Sequence, residues 1–303
     1  MGLLKTLRRK LRRSLIPASV LRDLDELRLG QGRILAELNR TKPVQPISHH
    51  EFRVFSQWGE DGVIQRLVSH IPVAHRTFIE FGVEDFAQAN CRFLLFNNNW
   101  RGFVIDSSEQ HVATILKADW LSRYDLCAAC SMVSREGINE ILQRSGFDRD
   151  LGLLSIDVDG IDYWLFEALT VYSPRILVVE FNALFGPTRL ITVPYDPAFR
   201  RRAKHYSELY YGASLAAWVH LADRKGYALV GVESAGVNAF FVRRDVLPAD
   251  VAPLTAAEAF VQTGVRQSRD RDGRLDFLAL DAQLAAIRGC EVVNVATGLP
   301  ERF

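Results

Sequence analysis

The sequence predicts an α/β sandwich: five or more parallel strands closed by an antiparallel hairpin, with helices between the strands and an N-terminal helical extension. Three observations carry that prediction. Residues 153–156 and 175–179 are apolar runs without polar alternation, as strands buried on both faces of a parallel sheet must be. The runs at 77–82 and 102–106 have the same character and also meet acids at their ends. Finally, residues 227–232 and 239–243 are joined by so short a link that only an antiparallel pair can form.

From the N-terminus, Leu3, Leu4, Leu7, Leu11 and Leu15 fall on one helical stripe opposite Lys5, Arg8, Arg9, Arg12 and Arg13. Pro17 ends this basic amphipathic helix over residues 3–16. It suits docking on an anionic membrane leaflet, or packing on protein. Val20, Leu24, Leu27, Gln31, Ile34 and Leu38 then alternate by four and three, the seam of a small helical hairpin or of a homodimer contact through residues 20–38. Residues 41–48, with Pro43 and Pro46, read as a linker. A helical stripe runs from Val63 to Ile71. Strands follow at 77–82, 102–106 and 126–133, then the two central runs with a crossover helix at 163–169 between them. A helix starting near 211 precedes the hairpin, and residues 251–303 read as a helical appendix with a strand at 291–295. The expected organisation is an extension over 1–42, a Rossmann-like domain over 43–250 and an appendix over 251–303.

With 48% hydrophobic and 24% charged residues, the chain can bury a sizeable core. Its net charge of +1 is uneven, with +7 on residues 1–42 and −6 on the remainder. A slightly acidic body excludes a general nucleic-acid binder. Cys127 and Cys130 have the spacing of a redox or zinc pair, but no second pair completes a tetrahedral site. They lie in an apolar run and read as small core residues in a reducing compartment. No stretch is apolar for long enough to span a bilayer, and the amino terminus lacks the apolar core of a secretory signal. The expected location is the cytoplasm, with peripheral attachment to the inner membrane face through the basic segment.

Chemistry concentrates where the strands end. Ligands of open parallel sheets bind beyond the carboxyl ends of the strands, which gathers Asp157, Asp159, Glu180 and Asn182 at one crevice. An acid closing the second strand, Asp106, is placed to accept hydrogen bonds from a nucleoside ribose. The turn after the first strand reads Gly82-Val83-Glu84-Asp85, with carboxylates where a dinucleotide would place phosphates. Pyrophosphate is repelled there, whereas an ammonium and a sulfonium are favoured, so S-adenosylmethionine is expected rather than NAD. Asp157, Asp159 and Asp162, with Glu180, also offer oxygen ligands suited to Mg²⁺, although Asp159 and Asp162 can equally cap the next helix. Residues 186–204 are long for a connection and form an expected acceptor lid, with Tyr195, Arg200 and Arg201 as acceptor contacts.

These residues resemble a known family. The runs Ser56-Gln57-Trp58-Gly59-Glu60-Asp61, Phe78-Ile79-Glu80-Phe81-Gly82, Gly102-Phe103-Val104-Ile105-Asp106 and Ile156-Asp157-Val158-Asp159-Gly160 look like those of an FkbM-type methyltransferase, over roughly residues 50–245. The resemblance implies a seven-stranded class I methyltransferase fold, S-adenosylmethionine as cofactor, and O-methylation of a sugar hydroxyl on a glycan, glycolipid or natural-product precursor. It places Glu80 and Gly82 at the methionine end of the cofactor, Asp106 at the ribose, Ser131 at the adenine edge and Asp157 beside the methyl group. Gln57 and Ser107 belong with this cofactor set, and Asp157, Asp159 and Glu180 with catalysis. The glycine-rich turn usual in the family is reduced to Gly82 alone. Two other readings share the residues: a degenerate methyltransferase fold acting as a membrane-peripheral scaffold, and a phosphatase using the D-x-D-G run at Asp157. The phosphatase pattern departs at Ile161, where it needs Thr.

Overall fold

The computed structural model describes residues 18–303, so the expected basic helix over 3–16 lies outside the described residues. A seven-stranded sheet forms the centre. Its strands are β1 (Thr77–Phe81), β2 (Arg101–Asp106), β3 (Leu126–Cys130), β4 (Leu153–Ile156), β5 (Ile176–Glu180), β7 (Tyr227–Val232) and β8 (Asn238–Arg243). They lie in the order β3-β2-β1-β4-β5-β8-β7. The first five are mutually parallel, and β8 runs antiparallel to both β5 and β7. This is the mixed sheet that the sequence predicts.

Both faces of the sheet are covered, which explains the unbroken apolar runs. On one face Ile79, Phe81, Ile105, Leu154 and Val179 pack with Ile141, Phe166 and Trp218 from flanking helices. On the other, Phe78, Val104, Leu153 and Val178 pack with Val63, Ile64, Leu67 and Leu94. The crossover helix runs Asp162–Ala168. The helix Leu215–Arg224 begins at Ser214, whose hydroxyl accepts from the Ala217 N–H at 3.0 Å.

Three expectations change. β3 is the outermost strand and is shorter than expected, with Cys127 and Cys130 exposed rather than in the core. An edge strand has no neighbour to cover it, and composition alone does not reveal that. Residues 18–39 form one continuous helix, Ala18–Asn39, not a hairpin. Gly32 does not break it: a Cβ there would lie 2.4 Å from Val54 and 2.8 Å from Phe93, so the glycine lets the helix dock on the body. The C-terminal segment is interleaved with residues 186–204, because β6 (Ile191–Thr192) pairs with β9 (Glu291–Asn294), which pairs with β10 (Pro300–Arg302). None of the described helices is long and apolar enough to cross a membrane.

Candidate functional site

A cavity of about 610 Å³ opens at the carboxyl ends of the parallel strands, where strand order reverses between β1 and β4. Asp106, Ser107 and Ser131 line it from the β2–β3 side, and Asp157, Asp159, Glu180 and Asn182 from the β4–β5 side. Of the other expected residues, Gln57, Gly82, Arg200 and Arg201 also lie on its wall.

The β2 side is held by backbone. Asp106 Oδ2 accepts from the Glu84 N–H and Oδ1 from the Ser108 N–H, each at 2.8 Å, and His111 Nδ1 stands 3.2 Å from Oδ1. The first turn is thereby tied to the end of β2. Gly82 has φ +69, and a Cβ there would fall 1.5 Å from the carbonyl oxygen of Asp157. The glycine is therefore required by the neighbouring strand end as well as by its own backbone. The loop bearing Gln57 and Trp58 is fixed by Asp61, whose Oδ2 accepts from the N–H groups of Val54, Phe55 and Ser56 at 2.7–2.8 Å. The Trp58 indole N–H is buried with no acceptor, a donor left for a bound group.

On the β4–β5 side, one carboxylate oxygen from each of Asp157, Asp159 and Glu180 lies within 4.8 Å of the others. Arg201 reaches into this group, with Nη1 2.6 Å from Asp159 and 4.0 Å from Glu180, and its guanidinium carbon 3.5 Å from the centre of the Tyr211 ring. Burial, then the charges of Asp159 and Asp162, raise Asp157 well above the ordinary carboxylate range. Burial, then Asp157, raise Glu180 likewise, with Arg201 opposing. Glu180 Oε2 is buried and has no partner. The Glu180 backbone is fixed by Trp218 Nε1, which donates to its carbonyl at 3.0 Å. A dication placed among these oxygens would sit beside the Arg201 guanidinium, and like charges at that range repel strongly. With Arg201 placed among them, the residues do not fit the expected Mg²⁺.

Several expected roles move. Glu80 is not on the cavity wall; its carboxylate accepts from the N–H groups of Asn90 and Cys91 at 2.7 and 3.0 Å, capping the segment after the first turn. It is the penultimate residue of β1, so strand alternation turns it away from the mouth. Asn182 lines the cavity, but its amide donates to the carbonyls of Leu209 and Tyr211 and its oxygen accepts from the Leu184 N–H, which leaves little for an acceptor. The Tyr195 hydroxyl donates to Glu136 at 2.6 Å and lies off the wall. Asp162 accepts from the Val158 and Gly160 N–H groups and shapes the loop. Arg200 and Arg201 face the cavity, whereas the nearby Lys204 pairs with Asp196 at 2.6 Å.

The wall also holds residues that sequence reasoning missed: Trp58, His111 and Tyr211, and Thr263, Val265, Gln267 and Gln283 from the C-terminal segment. That segment is pinned beside the cavity, since a Cβ on Gly236 would meet the Val261 carbonyl at 2.6 Å. No local pattern marks it; it joins the site only through tertiary packing.

No protein-family model and no curated protein matches the chain. Among solved structures it is similar to the CurJ carbon methyltransferase, at 11% identity over 60% of this chain and 52% of that one, with TM-score 0.37. The chain thus spans about half of that structure's length. It is also similar to the N-terminal domain of EvdMO1 with SAH bound, at 10% identity over 70% and 96% of the two chains, with TM-score 0.39. A SAM dependent methyltransferase from Aquifex aeolicus aligns at 10% identity over 69% and 96%, with TM-score 0.34. Likeness at this level assigns no chemistry, which rests on the cavity itself.

Proposed function

We propose that this chain is an S-adenosylmethionine-dependent O-methyltransferase of the FkbM type, acting on a sugar hydroxyl of a glycan, glycolipid or natural-product precursor. The convergence of Asp106, Asp157 and Glu180 on one cavity at the switch point of the sheet supports this reading best. When bound, S-adenosylmethionine supplies a methyl group on a sulfonium cation. In this reading Asp106 and Ser107 serve the ribose, Ser131 the adenine edge, and Gln57 with the Gly82 backbone the amino-acid end. Asp157 and Glu180 face the cation with negative charge.

Methyl transfer forms a C–O bond as the C–S bond breaks, and the hydroxyl proton must leave. The Asp157–Glu180 pair takes that proton in this scheme. Burial makes both carboxylates more basic than solvated ones, which suits proton abstraction from a weak acid. Arg201 opposes that rise and so favours their ionised forms. Thr263 and Gln267 offer hydroxyl and amide groups that match a polyhydroxyl acceptor. Peripheral membrane attachment through residues 3–16 belongs to the same proposal and rests on sequence alone. The scaffold and phosphatase readings gain no support from the site.

The test is mass spectrometry of glycans and glycolipids from cells lacking the chain, complemented with the wild type or with Asp157→Asn. An acceptor sugar one methyl short, restored by the wild type alone, supports the proposal. Unchanged glycan and glycolipid masses reject it.

A further inference from the structure

The helix Ala18–Asn39 has two faces of opposite fate. Leu29, Leu35 and Ala36 pack against the cluster of Phe52, Val54, Phe55 and Phe93, and the Asn39 amide donates to the His50 carbonyl at 2.9 Å. On a second face of the helix, Val20, Leu24, Leu27, Ile34 and Leu38 are 43, 46, 70, 64 and 60% exposed. With Gln31, these are the six positions alternating by four and three. A surface helix needs one apolar stripe; a second stripe at heptad spacing, facing water, lacks its partner.

We propose that this stripe forms a parallel two-stranded coiled coil with the same helix of a second copy of the chain. Leu24, Gln31 and Leu38 take the a positions, and Val20, Leu27 and Ile34 the d positions. Charge fixes the orientation. In the parallel arrangement Asp23 at g meets Arg28 of the second copy at e, twice by symmetry, and Gln31 meets its own counterpart across the seam. In the antiparallel arrangement Arg28 approaches Arg28, and Asp23 approaches Glu37. The body packs chiefly through Leu29 and Ala36 at f, with Leu35 at e beside the seam. Each helix is already held by its own body, so pairing carries none of the folding cost that makes short isolated helices marginal. A membrane is the poorer occupant: the helix carries Asp23, Asp25, Glu26 and Glu37 against Arg22, Arg28 and Arg33, which gives no attraction to an anionic surface.

Sedimentation of the full chain at micromolar concentration tests the proposal. The wild type is expected to have the mass of two chains. Leu27→Glu with Ile34→Glu should give one folded chain whose melting temperature no longer depends on protein concentration, since both positions are exposed in a single copy. Arg28→Asp alone should weaken the dimer by about fivefold or more, and adding Asp23→Arg should restore it. A wild-type mass of one chain, or of three or more, overturns the proposal. So does a dimer untouched by the Leu27/Ile34 pair of changes or by Arg28→Asp. A single-chain wild type that floats with phosphatidylcholine–phosphatidylglycerol vesicles, and loses this with the Leu27/Ile34 changes, overturns it in favour of a lipid surface.

Discussion

Gly82→Ala separates a structural demand on the first turn from a generic loss. Gly82 has φ +69, and its missing Cβ would lie 1.5 Å from the Asp157 carbonyl oxygen. Carbon and oxygen in close contact stay about 3.3 Å apart, so β1 and β4 must part by nearly 2 Å at the cavity mouth. The left-handed backbone costs alanine about 1–2 kcal/mol, and overpacking against a neighbouring strand adds about 1–3 kcal/mol. The sum, about 2–5 kcal/mol, is a large share of the 5–15 kcal/mol typical of a domain. Gly146 is the control, with φ +64 and nothing within 4 Å of its Cβ position. Gly146→Ala meets only the backbone cost. Urea unfolding of both variants, with calorimetric titration of S-adenosylhomocysteine, reads the difference. The Gly82 variant should lose more stability by about 1–3 kcal/mol and bind at least about tenfold more weakly, because Asp157 moves. Equal losses in the two variants, with binding intact, refute the reasoning.

Three further outcomes are expected. Arg201→Gln removes the cation opposing the rise of Asp157 and Glu180, so the rising limb of the pH–rate profile for methyl transfer should move alkaline by about one unit or more; an unmoved limb would detach Arg201 from the pair. Burial raises Glu80 and Glu233 to about 7 and Asp61 to about 6. Each binds its proton more tightly folded than unfolded, so the stability it contributes is full below the ordinary carboxylate range and is lost as pH rises towards 7. The melting temperature should therefore be higher at pH 5 than at pH 8, by less in Glu80→Gln, and a melting temperature that rises over that range contradicts the assignment. Cys127 and Cys130 are exposed, whereas Cys91 is fully buried. An aromatic disulfide reagent should modify the first two quickly and Cys91 only on unfolding, and slow reaction at β3 would mean that this edge is covered.

What could be read from sequence follows from how each element is buried. β1, β2, β4 and β5 are legible because helices cover both faces and leave no polar alternation. β3 has similar small apolar residues, yet it lies at the edge, and neighbour count is not written in composition. β6 has two residues, too few for any periodicity. At the site, Asp106 and Asp157 end or follow their strands and reach the cavity, while Glu80 is one residue too early and faces the helical layer. A one-residue difference in register decides between cavity wall and internal cap. Arg201 is legible beside Arg200 as an expected acceptor contact, but its inward turn depends on Tyr211 and Asp159. Thr263, Gln267 and Gln283 carry no local signal at all.

Isothermal titration of the folded chain with S-adenosylmethionine addresses the cavity most directly. Micromolar binding is predicted, weakened by about tenfold or more in Asp106→Asn and unaffected in Tyr195→Phe, whose hydroxyl lies off the wall. No heat of binding, or an affinity indifferent to Asp106, would contradict the assignment of this crevice to a sulfonium methyl donor.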